Sequence, residues 1–225
     1  MIAIISDIHG NWAALRRVLE EIDHLGIEKI INLGDTAGYY PLVNECCEAL
    51  RERGVLSLLG NHDFYLVRGL PCHRSRSATA CLEHQRHATS ASNLAWLAGL
   101  PTNLVVDGIN CVHGGWSDYL EEYFRPRIGY FDFCDHTVFA SGHTHVPIIW
   151  VDGPKMYCNP GSVGQPRDGD ARASFAVYDG FNFEIRRLTY DPSDTQRAMR
   201  DAGFPAVYYQ NLEIGSRIGG RVDRY

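Results

Sequence analysis

The chain begins MIAIISDIH (residues 1–9), an apolar run that leads directly into an aspartate and a histidine. Two runs of the same kind follow, KIINLGD at residues 29–35 and VLSLLGNHD at residues 55–63. Between the first two runs, apolar residues recur three and four positions apart and stop at Gly26, which is typical of an amphipathic helix. A strand–helix–strand–helix–strand order of this kind predicts parallel strands with right-handed crossovers.

Beyond residue 100 the pattern changes to β-hairpins. The stretch LVVDGINCV (residues 104–112) has Asp-Gly between two apolar runs, the strongest short signal for a type I′ turn. Residues 148–153 and 175–180 also combine an apolar run with Asp-Gly. A parallel half followed by an antiparallel half predicts an α/β fold, specifically a four-layer α-β-β-α sandwich of two mixed β-sheets flanked by helices. We expect one domain spanning residues 1–225.

Three segments fall outside this strand pattern. Residues 70–99 are polar, carry several histidines and arginines, and end in a helical stretch at residues 93–97. We interpret them as helical cover near the functional site, although a solvated outer helix fits equally well. A further helix is expected near residues 194–203. Residues 215–225 are rich in glycine and arginine, and we expect them to be a frayed tail.

The composition limits the class of protein. Apolar residues make up 45% of the chain and charged residues 21%, as in soluble globular domains. The net charge of −6 argues against an extended nucleic-acid surface but leaves room for a small nucleotide. Seven cysteines without a CxxC motif fit a reducing cytoplasm. The N-terminus lacks the features of a signal peptide, and no apolar run approaches the roughly 20 residues needed to span a bilayer, so no membrane partner is expected.

Potential ligands follow the predicted strands in five short stretches: DIH (7–9), GD (34–35), GNHD (60–63), HG (113–114) and GHTH (142–145). Strand ends present side chains to a common crevice. Imidazoles with carboxylate and amide oxygens favour Mn²⁺, Fe, Co²⁺, Ni²⁺ or Zn²⁺ over Ca²⁺ or Mg²⁺. One such motif alone would more often be structural, but five in order predict a two-metal site. Paired metals suit attack of water on phosphorus, which indicates a metal-dependent phosphoesterase.

These five motifs resemble those of the calcineurin-like metallophosphoesterase superfamily. The stretch NPGSVGQPRD (residues 159–168) is similar to a segment of its small prokaryotic phosphodiesterases. The resemblance extends over nearly the whole chain and is more specific for the superfamily than for any subfamily.

The resemblance also implies a role for each ligand. The metal ligands would be Asp7, His9 and His145 for one ion, Asn61, His113 and His143 for the other, and Asp35 as a bridge between them. We expect Gly142 to allow the turn that directs the two histidines of GHTH to different metals.

The expected mechanism follows from these assignments. Two metals about 3.5–4 Å apart would hold a hydroxide for in-line attack on phosphorus. His62 would assist the leaving group, since a histidine is easily tuned near neutral pH, and Asp63 would orient it.

Substrate contacts are expected near Arg167, which could clamp a phosphate. The turn at residues 161–164 could direct backbone N–H groups at an anion, or it could be purely structural. Asn11 either caps its helix, which is the safer interpretation, or contacts substrate. After Gly34-Asp35 the chain reads TAGYY (residues 36–40), where the protein Ser/Thr phosphatase branch has an Asp-Arg-Gly, and this difference argues against that branch. Two of these residues are Tyr39 and Tyr40. They would form an aromatic wall for a flat group or be packing residues.

We therefore expect a cytoplasmic hydrolase with a binuclear centre of divalent transition metals, manganese foremost, that cleaves small phosphodiesters or nucleotides. Hydrolysis of dinucleoside polyphosphates or of phosphomonoesters is the alternative. A non-catalytic scaffold would have lost ligands or the catalytic histidine, and all of them are present. A nuclease is disfavoured by the acidic charge balance.

Overall fold

The computed structural model describes residues 1–224, and Tyr225 lies outside the described residues. The strands are β1 (Ile2–Ile5), β2 (Lys29–Asn32), β3 (Leu56–Ser57), β4 (Asn103–Val106), β5 (Ile109–Val112), β6 (Val138–Ala140), β7 (Ile148–Asp152), β8 (Lys155–Asn159), β9 (Ala173–Tyr178) and β10 (Phe183–Leu188). The α-helices are α1 (Trp12–His24), α2 (Val43–Glu52), α3 (Asn61–Arg68), α4 (Arg76–Ala88), α5 (Ala91–Ala98) and α6 (Ser193–Asp201). Short 3-10 turns lie at Tyr130–Phe133, Ala206–Tyr208 and Gln210–Glu213.

The strands form two five-stranded mixed sheets. The first has the order β10-β9-β1-β2-β3. Strands β1, β2 and β3 are parallel to one another, and β9 is antiparallel to both of its neighbours, β1 and β10. The second has the order β4-β5-β6-β8-β7, parallel in the middle and antiparallel at both edges. The prediction of two mixed sheets with flanking helices is confirmed.

The two sheets pack face to face, and alternation along the strands decides what each face contacts. In the second sheet, Ala140 and Cys158 belong to the apolar cluster shared with the first sheet. Their neighbours Phe139 and Tyr157 belong to an aromatic cluster on the other face, together with residues of the segment between β5 and β6. Helices α1 and α2 cover the outer face of the first sheet.

The hairpins differ in how closely they follow the predicted turns. The β4–β5 turn has positive φ at Asp107 and Gly108, as a type I′ turn requires. In β7–β8, Asp152 pairs with Lys155, so the turn lies one residue later than Asp-Gly. The β9–β10 loop is longer than a two-residue turn because the Asp179 side chain accepts hydrogen bonds from the backbone N–H groups of residues 181 and 182.

The third strand is shorter than the predicted residues 55–59. The Leu58 N–H still donates to the Asn32 carbonyl, but the Leu59 N–H donates to the Pro101 carbonyl. The chain therefore leaves the sheet edge at this point and approaches the segment that leads to β4.

Residues 70–99 form helices α4 and α5, and they contact the site region. The buried Gln85 side chain of α4 accepts a hydrogen bond from the Gly38 N–H and donates to the Tyr40 carbonyl. This contact supports the interpretation as cover over the loop that follows β2. No helix within residues 1–224 is both long and apolar enough to cross a membrane.

The expectation of a frayed tail does not describe residues 215–224. The Gly215 carbonyl accepts from the Gly169 N–H, and the Asp223 N–H donates to the Arg167 carbonyl. The side chain of Arg217 also bonds that of Asp223 at 2.6 Å. The tail is held because its polar groups find partners in a segment distant in sequence, which composition alone does not reveal.

Candidate metal centre

The predicted ligands leave their strands with an unusual backbone. Within residues 1–224, six non-glycine residues have positive φ, and five of them are predicted ligands: Asp7, His9, Asp35, His143 and His145. The sixth is in the β4–β5 turn. A non-glycine residue held in this region costs about 1–3 kcal/mol and persists where the surroundings enforce it, which is frequent at functional sites.

The turn within GHTH is made by its histidines, not by the preceding glycine. His143 and His145 have φ of 66° and 61°, whereas Gly142 has no positive φ. The expectation that Gly142 supplies the turn is therefore wrong. Its contribution is space, because a Cβ there would lie 1.9 Å from the Ser6 hydroxyl oxygen and 2.8 Å from a carboxylate oxygen of Asp7.

Two ligand groups result. Asp7, His9 and His145 place one ligand atom each within 4.8 Å of one another, and so do Asp35, His113 and His143. Their grouping follows the partition predicted from the sequence, and all six residues are buried.

Asp35 lies between the groups. Its Oδ2 is 3.7 Å from Nε2 of His9 and 3.4 Å from Nε2 of His113. The Asn61 Oδ1 lies 3.1 Å from the same His113 nitrogen. The single carboxylate thus faces residues of both groups, and the neutral amide oxygen of Asn61 lies beside the second.

The residues fit divalent cations. In three histidine rings, Nδ1 lies within hydrogen-bond distance of a backbone carbonyl. The pairs are His9 with Ala37, His113 with Leu33 and His145 with Gln165. When each Nδ1 donates its proton there, each Nε2 presents a lone pair to the site. The Nε2 atoms of His9 and His145 are 3.1 Å apart, so two lone pairs face each other.

Buried atoms without a hydrogen-bond partner give the second sign of a cation site. Asp7 Oδ1, Asp35 Oδ2 and His143 Nε2 have no such partner within the described residues 1–224. Unpaired buried acceptors of this kind are costly unless a cation binds them.

Burial and mutual attraction decide the protonation of the site. Burial raises the pKa of Asp7 to about 7 and lowers the pKa of His62 to about 4. Burial also disfavours the charged form of His113, but Asp35 outweighs this effect and raises the pKa of that imidazole to about 10. Burial would raise the pKa of Asp35, yet attraction by His113 and His62 holds it below the usual range. The carboxylates therefore attract positive charge strongly.

His62 lines the same pocket as Asp35, Asn61, His143 and His145. Its backbone N–H donates to Asp35 Oδ1 at 2.8 Å, and its ring nitrogen Nδ1 has no partner.

Asp63 does not bond this ring, contrary to the expected orienting role. Its carboxylate accepts from the N–H groups of Gly60, Thr36 and Ala37, because Asp63 is the third residue of α3 and folds back over the helix start. It orients the loop after β2 and the start of α3.

The turn at residues 161–164 packs beneath the first ligand loop. The N–H groups of Val163 and Gly164 donate to the carbonyls of Ser6 and Asp7, and the Ser162 hydroxyl also donates to the Asp7 carbonyl. These two N–H groups already donate to carbonyls of the protein and do not point at a ligand. The alternative that this turn directs N–H groups at an anion is therefore wrong. The structural interpretation of this turn holds.

Asn11 caps helix α1, since its side-chain oxygen accepts from the Ala14 N–H and from the Thr195 hydroxyl. Its amide donates to the Gly164 carbonyl and to the Tyr190 hydroxyl. All of its hydrogen-bonding capacity is used by the protein, which leaves capping as its observed role.

Of the two tyrosines after β2, only Tyr39 reaches the site. Its ring lies 4.8 Å from that of His9 and 5.0 Å from that of His62. The buried Arg167 donates to its hydroxyl oxygen at 3.2 Å and to the Gln165 side chain. Tyr40 is a core residue, and its hydroxyl oxygen accepts from Gln165 and Asn211.

Sequence reasoning missed residues at the mouth of this pocket, namely Tyr123 and Arg217. The Tyr123 ring lies 4.3 Å from the His143 ring, and Arg217 lines the same pocket. Neither lies in a recognisable motif. The arginines clustered near the C-terminus were the available signal for a substrate-binding surface. The glycine- and arginine-rich composition of that segment instead indicated a frayed end.

Comparison with known proteins agrees with this geometry. Residues 1–180 match the model of the calcineurin-like phosphoesterase superfamily domain. An uncharacterized protein of Methanocaldococcus jannaschii is 36% identical in an alignment 220 residues long, which covers 85% of this chain and 88% of that protein. A metallophosphoesterase crystal structure from Sphaerobacter thermophilus is 31% identical, with a TM-score of 0.84 over 95% of this chain and 98% of that one.

A hypothetical protein from Pyrococcus horikoshii OT3 shares the fold, with a TM-score of 0.86 at 21% identity over 96% of this chain and 100% of that one. The family match and the 31% identical structure, together with the buried Asp and His groups, identify the chain. It belongs to the calcineurin-like phosphoesterase superfamily.

Proposed function

We propose that this protein is a cytoplasmic phosphodiesterase that works with two divalent metal ions on small phosphodiesters or nucleotides. The observation that carries the proposal is the pair of buried ligand groups that face each other across Asp35, each with atoms that lack a hydrogen-bond partner. Seven free cysteines are compatible with a reducing compartment.

The predicted ligands would fall into two sets, one for each ion. Asp7, His9 and His145 would hold one ion, Asn61, His113 and His143 the second, and Asp35 would face both. Bound there, the ions would supply a nucleophilic water at neutral pH and neutralise charge on the phosphoryl oxygens.

His62 is placed to assist the leaving group. Its ring lines the pocket and carries a nitrogen without a partner among residues 1–224, and its backbone N–H bond to Asp35 places the residue beside the ligand groups. A neutral imidazole still has one N–H to donate toward a departing oxygen. A ring that lies against the ligands without being one of them suits this role.

Manganese is the proposed metal. Four imidazoles, carboxylates and an amide oxygen without thiolate form a donor set that suits a transition metal better than Mg²⁺ or Ca²⁺. The scaffold alternative is less well supported, because His62 lines one pocket together with four of the predicted ligands, Asp35, Asn61, His143 and His145.

The test is hydrolysis of bis-p-nitrophenyl phosphate and p-nitrophenyl phosphate by metal-stripped protein reloaded with Mn²⁺. We expect metal-dependent cleavage that is faster for the diester. Asp35→Asn should lose both the bound manganese, measured by elemental analysis, and the turnover. Asp107→Asn is the matched control, because Asp107 also has positive φ but lies in an exposed turn.

Preference for the monoester would favour a phosphomonoesterase. Two bound ions per chain with no cleavage of either ester would overturn the proposed diesterase.

A further inference from the structure

A second, larger pocket adjoins the metal centre. It has a volume of about 590 Å³, whereas the pocket at the ligands measures about 30 Å³. Its charged and aromatic lining consists of Arg74, Tyr123, Arg125, Arg217, Arg221 and Arg224, with Asp223 as the acidic member.

Tyr123 connects the two pockets. Its ring lies 4.3 Å from the ring of the predicted ligand His143. The guanidinium carbons of Arg74 and Arg217 lie 5.2 Å and 5.7 Å from the centre of the same tyrosine ring. These three residues line both pockets. A molecule bound at the metals would therefore meet two guanidinium groups as it extends outward.

The large pocket carries excess positive charge in a chain whose net charge is −6. Asp223 pairs with Arg217 at 2.6 Å and with Arg221 at 3.3 Å, and Glu121 lies 3.4 Å from Arg74. Among residues 1–224, Asp223 and Glu121 thus pair with three of the five lining arginines. Clustered guanidinium groups of this kind bind phosphate oxygens in a bidentate manner.

The C-terminal segment supplies several of these arginines. It is held in place by the bonds from Gly169 to Gly215 and from Asp223 to Arg167, and by an Arg217 N–H bond to the Arg221 carbonyl. The superfamily model ends at residue 180, so Arg217 and Arg221 lie outside the matched region. The pocket therefore combines residues of the matched region, such as Arg74 and Tyr123, with residues that lie beyond it.

We infer that this arginine pocket is a second anion subsite, and that the substrate carries at least one further phosphate group beyond the scissile one. The inference rests on the proposed function, because it places the scissile phosphate at the metal centre. Two sources share this chemistry: a phosphoanhydride chain, as in a dinucleoside polyphosphate, and a phosphodiester that also bears a terminal phosphate. Arg74 and Arg217 are the specificity-determining residues.

The first test measures binding without turnover. Manganese-loaded protein is titrated calorimetrically with inorganic phosphate, pyrophosphate and triphosphate at a fixed metal concentration. We expect triphosphate to bind at least about tenfold more tightly than phosphate, because only the longer chain reaches the arginines. Chelation of metal by the probes is the same for every variant, so variants can be compared directly.

Arg217→Ala and Arg74→Ala should each weaken triphosphate binding about tenfold and phosphate binding less than about twofold. Arg217 also anchors the tail through Asp223, whereas no tail residue is bonded to Arg74 among residues 1–224, so the second variant separates lost charge from a released tail. Arg16→Ala, on the exposed face of α1, is the matched charge control.

Equal weakening of phosphate and triphosphate, or no weakening by either pocket variant, would overturn the subsite. A protein that binds triphosphate through these arginines but cleaves no diester would instead contradict the proposed function, so the two failures are distinguishable. Turnover of a dinucleoside tetraphosphate and of a 3′-phosphorylated dinucleotide, followed by phosphorus NMR, identifies the source. A kcat/KM for both that is independent of Arg74 and Arg217 would also overturn the inference.

Discussion

At the scale of single residues, His62 differs from the rings around it. The imidazoles of His9, His113 and His145 are each fixed by a backbone carbonyl, whereas Nδ1 of His62 has no partner. A bond of this kind fixes the tautomer of those three rings, whereas a ring that hydrogen-bonds a leaving group needs a free nitrogen.

This difference predicts the behaviour of His62→Ala. We expect turnover of an alkyl diester, whose leaving group is poor, to fall about 10²–10⁴-fold, and turnover of bis-p-nitrophenyl phosphate to fall much less, because nitrophenolate departs without a proton. The measurement is kcat for both substrates on protein with equal metal content. His87→Ala, an exposed histidine of α4, is the control. An equal loss on both diesters would rule out the leaving-group role.

Gly142 and Gly99 form a second comparison at this scale, because neither has positive φ. A Cβ at Gly142 would lie 1.9 Å from Ser6 Oγ, but at Gly99 the nearest atom would be 3.5 Å away. Ser6 bonds the Asp7 carboxylate at 2.7 Å, so Gly142→Ala should displace a metal ligand and reduce turnover about a hundredfold. Metal stoichiometry and kcat are the measurements. Gly99→Ala with the same loss would show that the close approach is not the cause.

At the scale of elements, the start of α1 is tied to two distant segments through Asn11. The cap bond to Ala14 is local, but the bonds to Gly164, Tyr190 and Thr195 join α1 to the turn after β8 and to the chain around α6. One buried amide therefore caps a helix and fixes the turn that supports Asp7.

Substitution of Asn11 separates these two contributions. Asn11→Asp keeps the cap acceptor but sets a carboxylate against the Gly164 carbonyl, so we expect a loss of about 2–3 kcal/mol in the free energy of unfolding, as for Asn11→Ala. Ser90→Ala, which removes the cap of α5 and one exposed bond to Ser92, should cost about 1 kcal/mol. Urea unfolding measures all three. If Asn11→Asp has wild-type stability, the distant bonds contribute nothing.

Elements with local signals were predictable from sequence, and those fixed by distant partners were not. Leu15, Val18 and Ile22 recur with helical spacing and are buried in α1, and Asp107-Gly108 forms the predicted turn. The grouping of the candidate metal ligands was predictable because strand ends converge. The bonds of Asp63 and the placement of Arg217 depend on backbone groups that no short motif specifies.

At the scale of the whole molecule, the metal centre joins the two sheets. Asp7 and Asp35 follow strands of the first sheet, whereas His113 and His143 follow strands of the second. A direct bond already crosses between them, from the His143 N–H to the Asp7 carboxylate at 3.0 Å. Cations bound by ligands of both sheets would strengthen this junction.

Metal removal should therefore destabilise both sheets together. Without cations, the buried oxygens Asp7 Oδ1 and Asp35 Oδ2 have no partner, which opposes folding. At a Mn²⁺ concentration about 100-fold above its dissociation constant, linkage gives about 2.7 kcal/mol, and we expect Tm to rise by roughly 5–10 °C above that of the chelated protein. Asp35→Asn should reduce this rise, whereas Asp107→Asn should keep it.

Hydrogen exchange locates the effect. Because the ligands come from strand ends of both sheets, Mn²⁺ should slow exchange of the amides of β1 and β2 in the first sheet and of β5 and β6 in the second by similar factors. Protection confined to one sheet would mean that the cations stabilise a single loop cluster. Protection of both sheets in the Asp107→Asn variant, and its reduction in Asp35→Asn, would establish that the shared carboxylate couples the two halves of the fold.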